Sequence, residues 1–295
     1  MILESIVIVG FALLLDFLVG DPKTKYHPTA WMGKLIALLV PFTKSNSARK
    51  ELLGGILLVS VIVIVVSTLL VVLDVGISLL TIDIVSLIVS IAIGSILLKT
   101  TIAIRGMQKH ALAVVNAVEE GDLDSARNHL SMIVKRDTKN LDKNHILSGV
   151  LESVSENTVD GVTGPLFYYA IFGLPGAFVY RAINTIDSMV GYKTTLFKNV
   201  GWFGAKCDTV LNYAPSRLTG LVMILGALIL GYNWKESLYI MRRDSRKLES
   251  PNAGFPMAAL AGALGTRLEK MNYYTIGNGS IEFTKSHVMS AITLM

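Results

Sequence analysis

Residues 52–73 form a run of 22 positions without a charged side chain. As a helix, this run would measure about 33 Å at 1.5 Å per residue, which is enough to cross the hydrocarbon core of a bilayer. Its many Val and Ile residues also suit a strand, but strands rarely exceed about ten residues. The run therefore predicts a membrane-spanning helix and restricts the fold of the segments on either side.

The composition supports a membrane protein and excludes several other classes. Hydrophobic residues make up 52% of the chain and charged residues only 17%, whereas soluble domains carry about 25% charged residues. Too few polar residues are present for a soluble or a disordered chain. The single cysteine, Cys207, excludes a disulfide framework. The net charge is +5, and the basic residues lie between the apolar runs. This position favours contact with anionic lipid over binding of nucleic acid.

Two further apolar runs, residues 2–19 and about 84–104, complete the predicted N-terminal membrane segment. The first contains Glu4 and Asp16 instead of a basic leading region, so we interpret it as a retained anchor and not as a cleaved signal peptide. The second carries Lys99 near one end, where a lysine is expected to extend to the membrane interface.

The basic residues predict the orientation of these runs. Lys and Arg are frequent after the first run, in residues 21–51, and absent from the turn at residues 74–83. By the positive-inside rule, residues 21–51 and 105–160 face the cytoplasm. Helical periodicity predicts that the latter segment forms soluble-type helices.

The second half of the chain predicts a less regular arrangement. Residues 161–180 carry no charge but include Gly173 and Pro175, which favours a broken or re-entrant apolar element. Residues 218–234 form another charge-free run, and the sequence leaves open how many of these runs cross. We expect an all-α polytopic membrane protein with about four to five membrane-embedded helices. We expect four segments. Residues 1–104 form the N-terminal membrane helices, with a cytosolic loop at 21–51, and residues 105–160 form a cytosolic helical segment. Residues 161–234 contain the broken element, a polar segment and a membrane helix, and residues 235–295 contain the basic cluster and the C-terminal segment.

Acidic residues follow helical spacing before the broken element. Glu152, Glu156 and Asp160 lie at i, i+4 and i+8, which places them on one helical face. They are either a solvated surface or, for Glu156 and Asp160, ligands of Mg²⁺, which binds a few carboxylates together with substrate phosphates.

A second polar group follows the broken element. Arg181, Asn184, Asp187 and Ser188 share one helical face among apolar neighbours. One interpretation is an internal ion pair between Arg181 and Asp187. The other is a functional site, since polar groups in apolar helices are costly.

Two weaker signals concern anions. Pro215, with Ser216 and Arg217 beside it, precedes an apolar run and predicts a helix start, and a helix N-terminus attracts anions. A basic cluster at residues 242–247 either contacts lipid headgroups or binds phosphate. Phosphate-loop and dinucleotide fingerprints and zinc-ligand spacings are absent from the sequence.

Four blocks of sequence carry a resemblance to a known family. They are residues 16–22 (DFLVGDP) with His27, Pro28 and Trp31; residues 155–161 (SENTVDG) through 180–192 (YRAINTIDSMVGY); Gly201 and Trp202 with Asp208, Asn212 and residues 215–219 (PSRLT); and Arg243 and Asp244 with residues 250–254 (SPNAG). In this order, over nearly the whole chain, they resemble the adenosylcobinamide-phosphate synthase family of cobalamin biosynthesis, which consists of integral membrane proteins.

The resemblance implies an acid–amine ligase. Members of this family use ATP and Mg²⁺ to join (R)-1-aminopropan-2-ol, or its O-phosphate, to adenosylcobyric acid. The product is adenosylcobinamide or its phosphate, so the corrinoid is a substrate and not a cofactor. The expected location is the cell (cytoplasmic) membrane, with the active site facing the cytoplasm. The expected partners are these substrates, the lipid bilayer, further copies of the chain and other corrinoid-pathway enzymes, but no nucleic acid.

The resemblance also implies the site residues. The catalytic residues are Glu156, Asp160, Arg181 and Asp187, and the first two are the expected Mg²⁺ ligands. The residues expected to bind substrate or nucleotide are Asp21, His27, Asn157, Asn184, Ser188, Lys193, Asp208, Asn212, Arg217, Arg243 and Asn252.

The chain departs from the family pattern at two points. Asp208 is followed by Thr209, where many members have a second acid, and members tend to continue into a last apolar helix beyond Met295. Two other classes of function remain as alternatives, a membrane transporter and a non-catalytic scaffold for corrinoid intermediates. A broken apolar segment suits transport, but the polar residues lie mainly between the apolar runs.

Overall fold

The computed structural model describes residues 2–80, 82–192 and 194–295, and these are predominantly helical. The helices are α1 (Ile2–Val19), α2 (Pro28–Thr43), α3 (Ala48–Ser78), α4 (Asp83–Lys99), α5 (Ile104–Glu119), α6 (Leu123–Ser131), α7 (Lys143–Thr158), α8 (Gly164–Val190), α9 (Trp202–Leu211), α10 (Tyr213–Ile229), α11 (Trp234–Asp244), α12 (Gly254–Leu264) and α13 (Lys285–Leu294). A short antiparallel pair, β1 (Leu268–Lys270) and β2 (Tyr274–Ile276), was not predicted. The predicted all-α fold class is confirmed.

The chain divides into two compact units, each built from two separate stretches of sequence. The first unit contains residues up to 103 and residues 160–211, and the second contains residues 104–159 and 212–295. Two of these divisions fall within one residue of segment boundaries predicted from the sequence. The third, between residues 211 and 212, falls inside the segment predicted at 161–234.

Four helical stretches are long and apolar enough to cross a membrane: Ile2–Val19, Ala48–Ser78, Asp83–Glu119 and Lys143–Val190. Helices are confirmed at the predicted spans of residues 2–19 and 52–73. In the third stretch α4 ends at Lys99, because the hydroxyls of Thr100 and Thr101 donate to the carbonyls of Leu97 and Leu98.

The core of the first unit forms around α3. Leu58 and Ile62 on this helix are buried and pack in one apolar cluster with Ile36 of α2 and with Ile183 and Ile186 of α8. Helix α2 lies within residues 21–51, which were predicted as a loop. Its start is stabilised locally, because His27 Nδ1 accepts a hydrogen bond from the Thr29 amide and Pro28 occupies the first helical position.

Helix α8 reverses direction at Gly173. This residue has φ +63° and ψ −155°, outside the helical region, and Pro175 follows it. The rings of Tyr168 and Tyr180 stack with centroids 5.3 Å apart, although a straight helix would separate these residues by about 18 Å. Residues 160–172 and 174–190 therefore form the two arms of a helical hairpin.

This hairpin forms the C-terminal part of the fourth apolar stretch, Lys143–Val190. At about 1.5 Å per residue the arms measure about 20 Å and 26 Å, compared with a hydrocarbon core of about 30 Å. The predicted break in residues 161–180 is confirmed, and the fourth apolar stretch is not one straight helix.

The second unit has its own core, in which α12 is fully surrounded. Its residues Met257 through Ala261 have at most traces of exposed surface. Helix α11 packs closely beside it, because a Cβ on Gly262 would collide with the backbone at Glu236 and Ser237. The small side chains in residues 257–264 permit this close approach.

Candidate functional site

The base of the hairpin in the first unit carries a polar network. Arg181 Nη1 donates to the main-chain oxygen of Asp160 at 3.0 Å and to Asn184 Oδ1 at 3.4 Å. Asn184 Nδ2 in turn donates to Asp208 Oδ1 of α9 at 3.3 Å. Four residues predicted separately from two sequence motifs are therefore connected. Asn184 is buried, while Asp160, Arg181 and Asp208 are partly accessible.

Tyr180 connects this network to the packing inside the hairpin. It was not among the site residues predicted from the sequence. Its hydroxyl donates to Asp160 Oδ1 at 3.5 Å, and its side chain is fully buried. The ring fits there because Gly164 has no side chain, since a Cβ on Gly164 would collide with the ring. Tyr168, on the first arm of the hairpin, stacks on the Tyr180 ring, and its hydroxyl donates to the Leu211 carbonyl at 2.9 Å. These aromatic contacts fix where Asp160 and Arg181 lie.

Arg181 retains a buried donor. Its Nε is buried without a hydrogen-bond partner among the described residues, and such a donor costs about 1–3 kcal/mol. The hydrogen bonds of the Arg181 guanidinium go to Asp160 and Asn184. The alternative interpretation, an internal ion pair between Arg181 and Asp187, is therefore not what stabilises this face. An incompletely satisfied cation suits a site that receives an anionic group.

The remaining predicted residues on α8 extend toward its end. Asp187 is partly buried, and its carboxylate occupies the space that a side chain on Gly191 would need. Ser188 is exposed. Lys193 lies outside the described residues, so its predicted role stays a prediction.

A second polar cluster in the first unit joins α1, α4 and the segment before α2. Lys99 Nζ lies 3.7 Å from Asp16 Oδ1 and 3.2 Å from Asp21 Oδ1, and His27 Nε2 lies 3.7 Å from the same Asp21 oxygen. Asp16 is completely buried and Lys99 nearly so. The prediction that Lys99 extends to the interface is wrong, because two carboxylates hold it inside.

Asp21 is the accessible member of this cluster. Burial alone would raise its pKa, but the hydrogen bond with His27 and the charge of Lys99 outweigh burial and lower the pKa. Asp21 therefore stays charged at neutral pH. The predicted site residues Asp21 and His27 lie together, and Lys99 and Asp16 are additions that only the structure reveals.

In the second unit, the acidic residues of α7 differ in environment. Glu152 is buried, forms an ion pair with Arg136 at 3.3 Å and accepts hydrogen bonds from Ser148 and Tyr274. Burial and the charge of Glu152 raise the pKa of Tyr274, so this phenol remains a donor. Glu156 is exposed. The predicted stripe is therefore not a uniform acidic surface, because its first member belongs to the protein interior.

The helical register after α7 also changes. Residues Val159–Thr163 form a turn of π-helix, which interrupts the regular i, i+4 spacing on which the stripe was predicted. Asn157 Nδ2 donates to the Ser153 carbonyl one turn earlier. Among the residues described, no three His, Cys, Asp or Glu side chains are grouped to hold a metal.

Arg217 and Asn252 meet in the second unit. Arg217 lies in the first turns of α10, which begins close to Pro215 as predicted, and its Nη1 lies 3.4 Å from Asn252 Oδ1. Asn252 precedes α12, and Asn212 is buried immediately before α10. These three predicted residues therefore lie at the starts of two helices.

Arg243 belongs to a rigid ion-pair network. It donates to both carboxylate oxygens of Asp244 at 2.6 and 2.7 Å and to Asn278 Oδ1 at 2.6 Å. Lys247 and the Gly277 amide also donate to Asp244, which is completely buried. Burial would raise the pKa of Asp244, but these donors outweigh it and hold the pKa far below its usual range. Arg243 thus has a clear structural role.

Asp244→Asn is expected to reduce the free energy of unfolding at pH 7 by about 2–4 kcal/mol, since it removes a buried, multiply paired charge. Because the folded-state pKa is depressed, this stabilisation is complete above the unfolded-state value of about 4 and is lost as the pH falls below it. Thermal unfolding in one detergent from pH 7 to 3 measures the difference. A wild-type-to-variant gap that stayed constant below pH 4 would contradict this account.

Comparison with known proteins identifies the chain's relatives. The family model described as CobD/Cbib protein matches residues 9–295. A probable cobalamin biosynthesis protein CobD of Methanothermobacter thermautotrophicus is 39% identical over 292 residues, which cover 99% of this chain and 93% of that protein.

Bacterial relatives are similar to a comparable degree. The cobalamin biosynthesis protein CobD of Leptospira interrogans is 41% identical over 268 residues, covering 90% of this chain and 83% of that protein. That of Clostridium perfringens is 38% identical over 271 residues, with 91% and 83% covered. No solved structure matches the chain. With matches of this identity and coverage, the chain belongs to the CobD/Cbib family of cobalamin biosynthesis proteins.

Proposed function

We propose that this protein is an ATP-dependent ligase that forms an amide bond in cobalamin biosynthesis. The acid is the free propionate of adenosylcobyric acid, the amine is (R)-1-aminopropan-2-ol or its O-phosphate, and the product is adenosylcobinamide or its phosphate. The observation that carries the proposal is membership of the CobD/Cbib family over residues 9–295. The polar network at the hairpin base supplies groups that suit this chemistry.

A carboxylate must be activated before an amine can displace its oxygen. In the proposed reaction a carboxylate oxygen attacks the γ-phosphorus of ATP, the bond to ADP breaks, and an acyl phosphate forms. The neutral amine then attacks the carbonyl carbon, inorganic phosphate leaves with the carbon–oxygen bonding pair, and the nitrogen loses a proton. Both steps depend on positioning and on neutralising negative charge.

We assign these tasks to the network around Asp160. Arg181 supplies positive charge for an incoming phosphate or carboxylate, and its buried Nε is a donor without a partner among the described residues. A neighbouring carboxylate, Asp160 or Asp208, accepts the proton that the amine releases. The Asn184 side chain positions both groups, because its amide oxygen accepts from Arg181 and its amide nitrogen donates to Asp208.

The same network fits magnesium. Mg²⁺ prefers oxygen ligands and binds proteins through one or two carboxylates, with substrate phosphates and water completing its shell. Asp160 and Asp208 provide such oxygens within one unit, and magnesium would supply further neutralisation of the nucleotide phosphates there. The participation of Glu156 in magnesium binding stays a prediction.

ATP turnover by the purified protein tests the proposed function. ADP release should require both adenosylcobyric acid and the amine, and mass spectrometry should detect the amide product. Corrinoid uptake into proteoliposomes without ADP release would support a transporter instead. Absence of both activities, with retained corrinoid binding, would support a scaffold.

We also propose a location in the cell membrane with the active site facing the cytoplasm. In a Cys207→Ala background, Asn140→Cys should react with an impermeant maleimide only after the cells are permeabilised, whereas Ser78→Cys should react in intact cells. The reason is the excess of basic residues at 21–51 and 105–160. Both positions are exposed, so the opposite labelling pattern would reverse the orientation.

A further inference from the structure

Arg217 is held in place through one nitrogen. Its Nη1 donates to the Tyr213 carbonyl at 2.6 Å, to Asn252 Oδ1 at 3.4 Å and to Ser216 Oγ at 3.5 Å. A guanidinium carries five N–H donors. In the part of the chain that the structure describes, the hydrogen bonds of Arg217 use Nη1 only, so the edge formed by Nε and Nη2 has no protein acceptor.

Two aromatic rings restrict the same side chain. The Cζ atom of Arg217 lies 3.5 Å from the ring centroid of Tyr213 and 4.2 Å from that of Phe255. Cation–π contacts at these distances are favourable and fix the plane of the guanidinium. The free edge is therefore presented in a defined orientation, and binding through it requires little further loss of side-chain freedom.

The charge of Arg217 is also not neutralised by a carboxylate among the described residues. Arg243 provides the contrast within the same unit, because both oxygens of Asp244 occupy its fork. A fixed, uncompensated guanidinium with a free two-nitrogen edge matches the geometry of bidentate oxyanion binding.

We propose that the Nε–Nη2 edge of Arg217 binds an oxyanion of a substrate through two parallel hydrogen bonds. Tyr213, Phe255 and Asn252 are positioning residues that orient this edge. The choice of ligand rests on the proposed function, whose substrates offer the required oxygens in three places: the ATP phosphates, the phosphate of the amine and the propionate of the corrinoid.

Binding measurements on the full-length protein test this inference. Isothermal titration would compare a non-hydrolysable ATP analogue, aminopropanol phosphate and adenosylcobyric acid on the wild type, Arg217→Lys and the control Arg49→Lys, whose side chain is exposed. Arg217→Lys keeps the charge but loses the fork. We expect it to weaken one ligand by about tenfold or more and the others by less than twofold, and the affected ligand identifies the oxyanion.

Asn252→Asp separates ligand binding from a structural role. The new carboxylate would lie beside Nη1 and neutralise Arg217, so affinity for the same ligand should fall about tenfold or more even though the protein gains an ion pair. If Arg217 only stabilised the start of α10, this variant would bind all three ligands normally. It also tests the inference if Arg217→Lys fails to fold.

The outcomes also distinguish this inference from the proposed function. Amide formation by the wild type, with unchanged affinities in both variants, would overturn the role of Arg217 alone. If the wild type forms no amide but loses affinity for one ligand in both variants, the oxyanion site stands and the ligase proposal fails. Absence of binding of all three ligands to the wild type would overturn both.

Discussion

Asp160→Asn is expected to lower the rate of amide formation by about 100-fold or more without unfolding the protein. The substitution removes the carboxylate charge that we assign to magnesium binding or proton acceptance. It leaves the main-chain oxygen that accepts from Arg181 unchanged, so the base of the hairpin should persist. Steady-state ADP release, together with thermal unfolding in the same detergent, measures both quantities.

Matched variants make this test specific. Asp74→Asn changes an exposed aspartate elsewhere in the first unit and should keep normal turnover. Glu156→Gln tests whether the second predicted magnesium ligand contributes, which would appear as a higher magnesium requirement. If Asp160→Asn turned over at the wild-type rate at limiting magnesium, the assignment of Asp160 would be wrong.

Lys99→Met is expected to reduce the free energy of unfolding by about 3–5 kcal/mol. Lys99 is the cation shared by Asp16 and Asp21, and Asp16 is completely buried on α1. Removing the lysine leaves a buried carboxylate without its compensating charge. Chemical denaturation in detergent, followed by circular dichroism, measures the loss.

The double variant Asp16→Leu/Lys99→Met is the decisive comparison. Replacing both buried partners by apolar residues removes the uncompensated charge, so most of the lost stability should return. Lys34→Met, at an exposed position, serves as the control and should change stability by less than about 0.5 kcal/mol. A double variant as unstable as Lys99→Met would show that this pair does not account for the effect.

The helices are predicted well from local sequence properties, because helix formation depends on nearby residues. A charge-free run of sufficient length specifies a spanning helix, and Gly173 with Pro175 specifies a break. Whether the chain bends or folds back at that break depends on contacts over longer distances. The fit of the Tyr180 ring against Gly164 is one such contact, and no periodic pattern indicates it.

The candidate site shows the same division. Arg181 and Asn184 are three residues apart and were predicted to share a face, as neighbours on one helix must. Their link to Asp208 joins different helices and appears only in the folded unit. For Lys99, the general tendency of lysines to extend toward water gave the wrong prediction, since the deciding partner is Asp16 on another helix.

The discontinuous construction of the first unit has a consequence for biosynthesis. Its early helices leave the ribosome before residues 104–159, which belong to the other unit. At about 5–20 residues per second, translating that insertion takes roughly 3–11 s. During this interval the face of α3 that later packs against Ile183 and Ile186 has not met its partner. The nascent chain must therefore shield this face with lipid or an insertion factor until the hairpin is made.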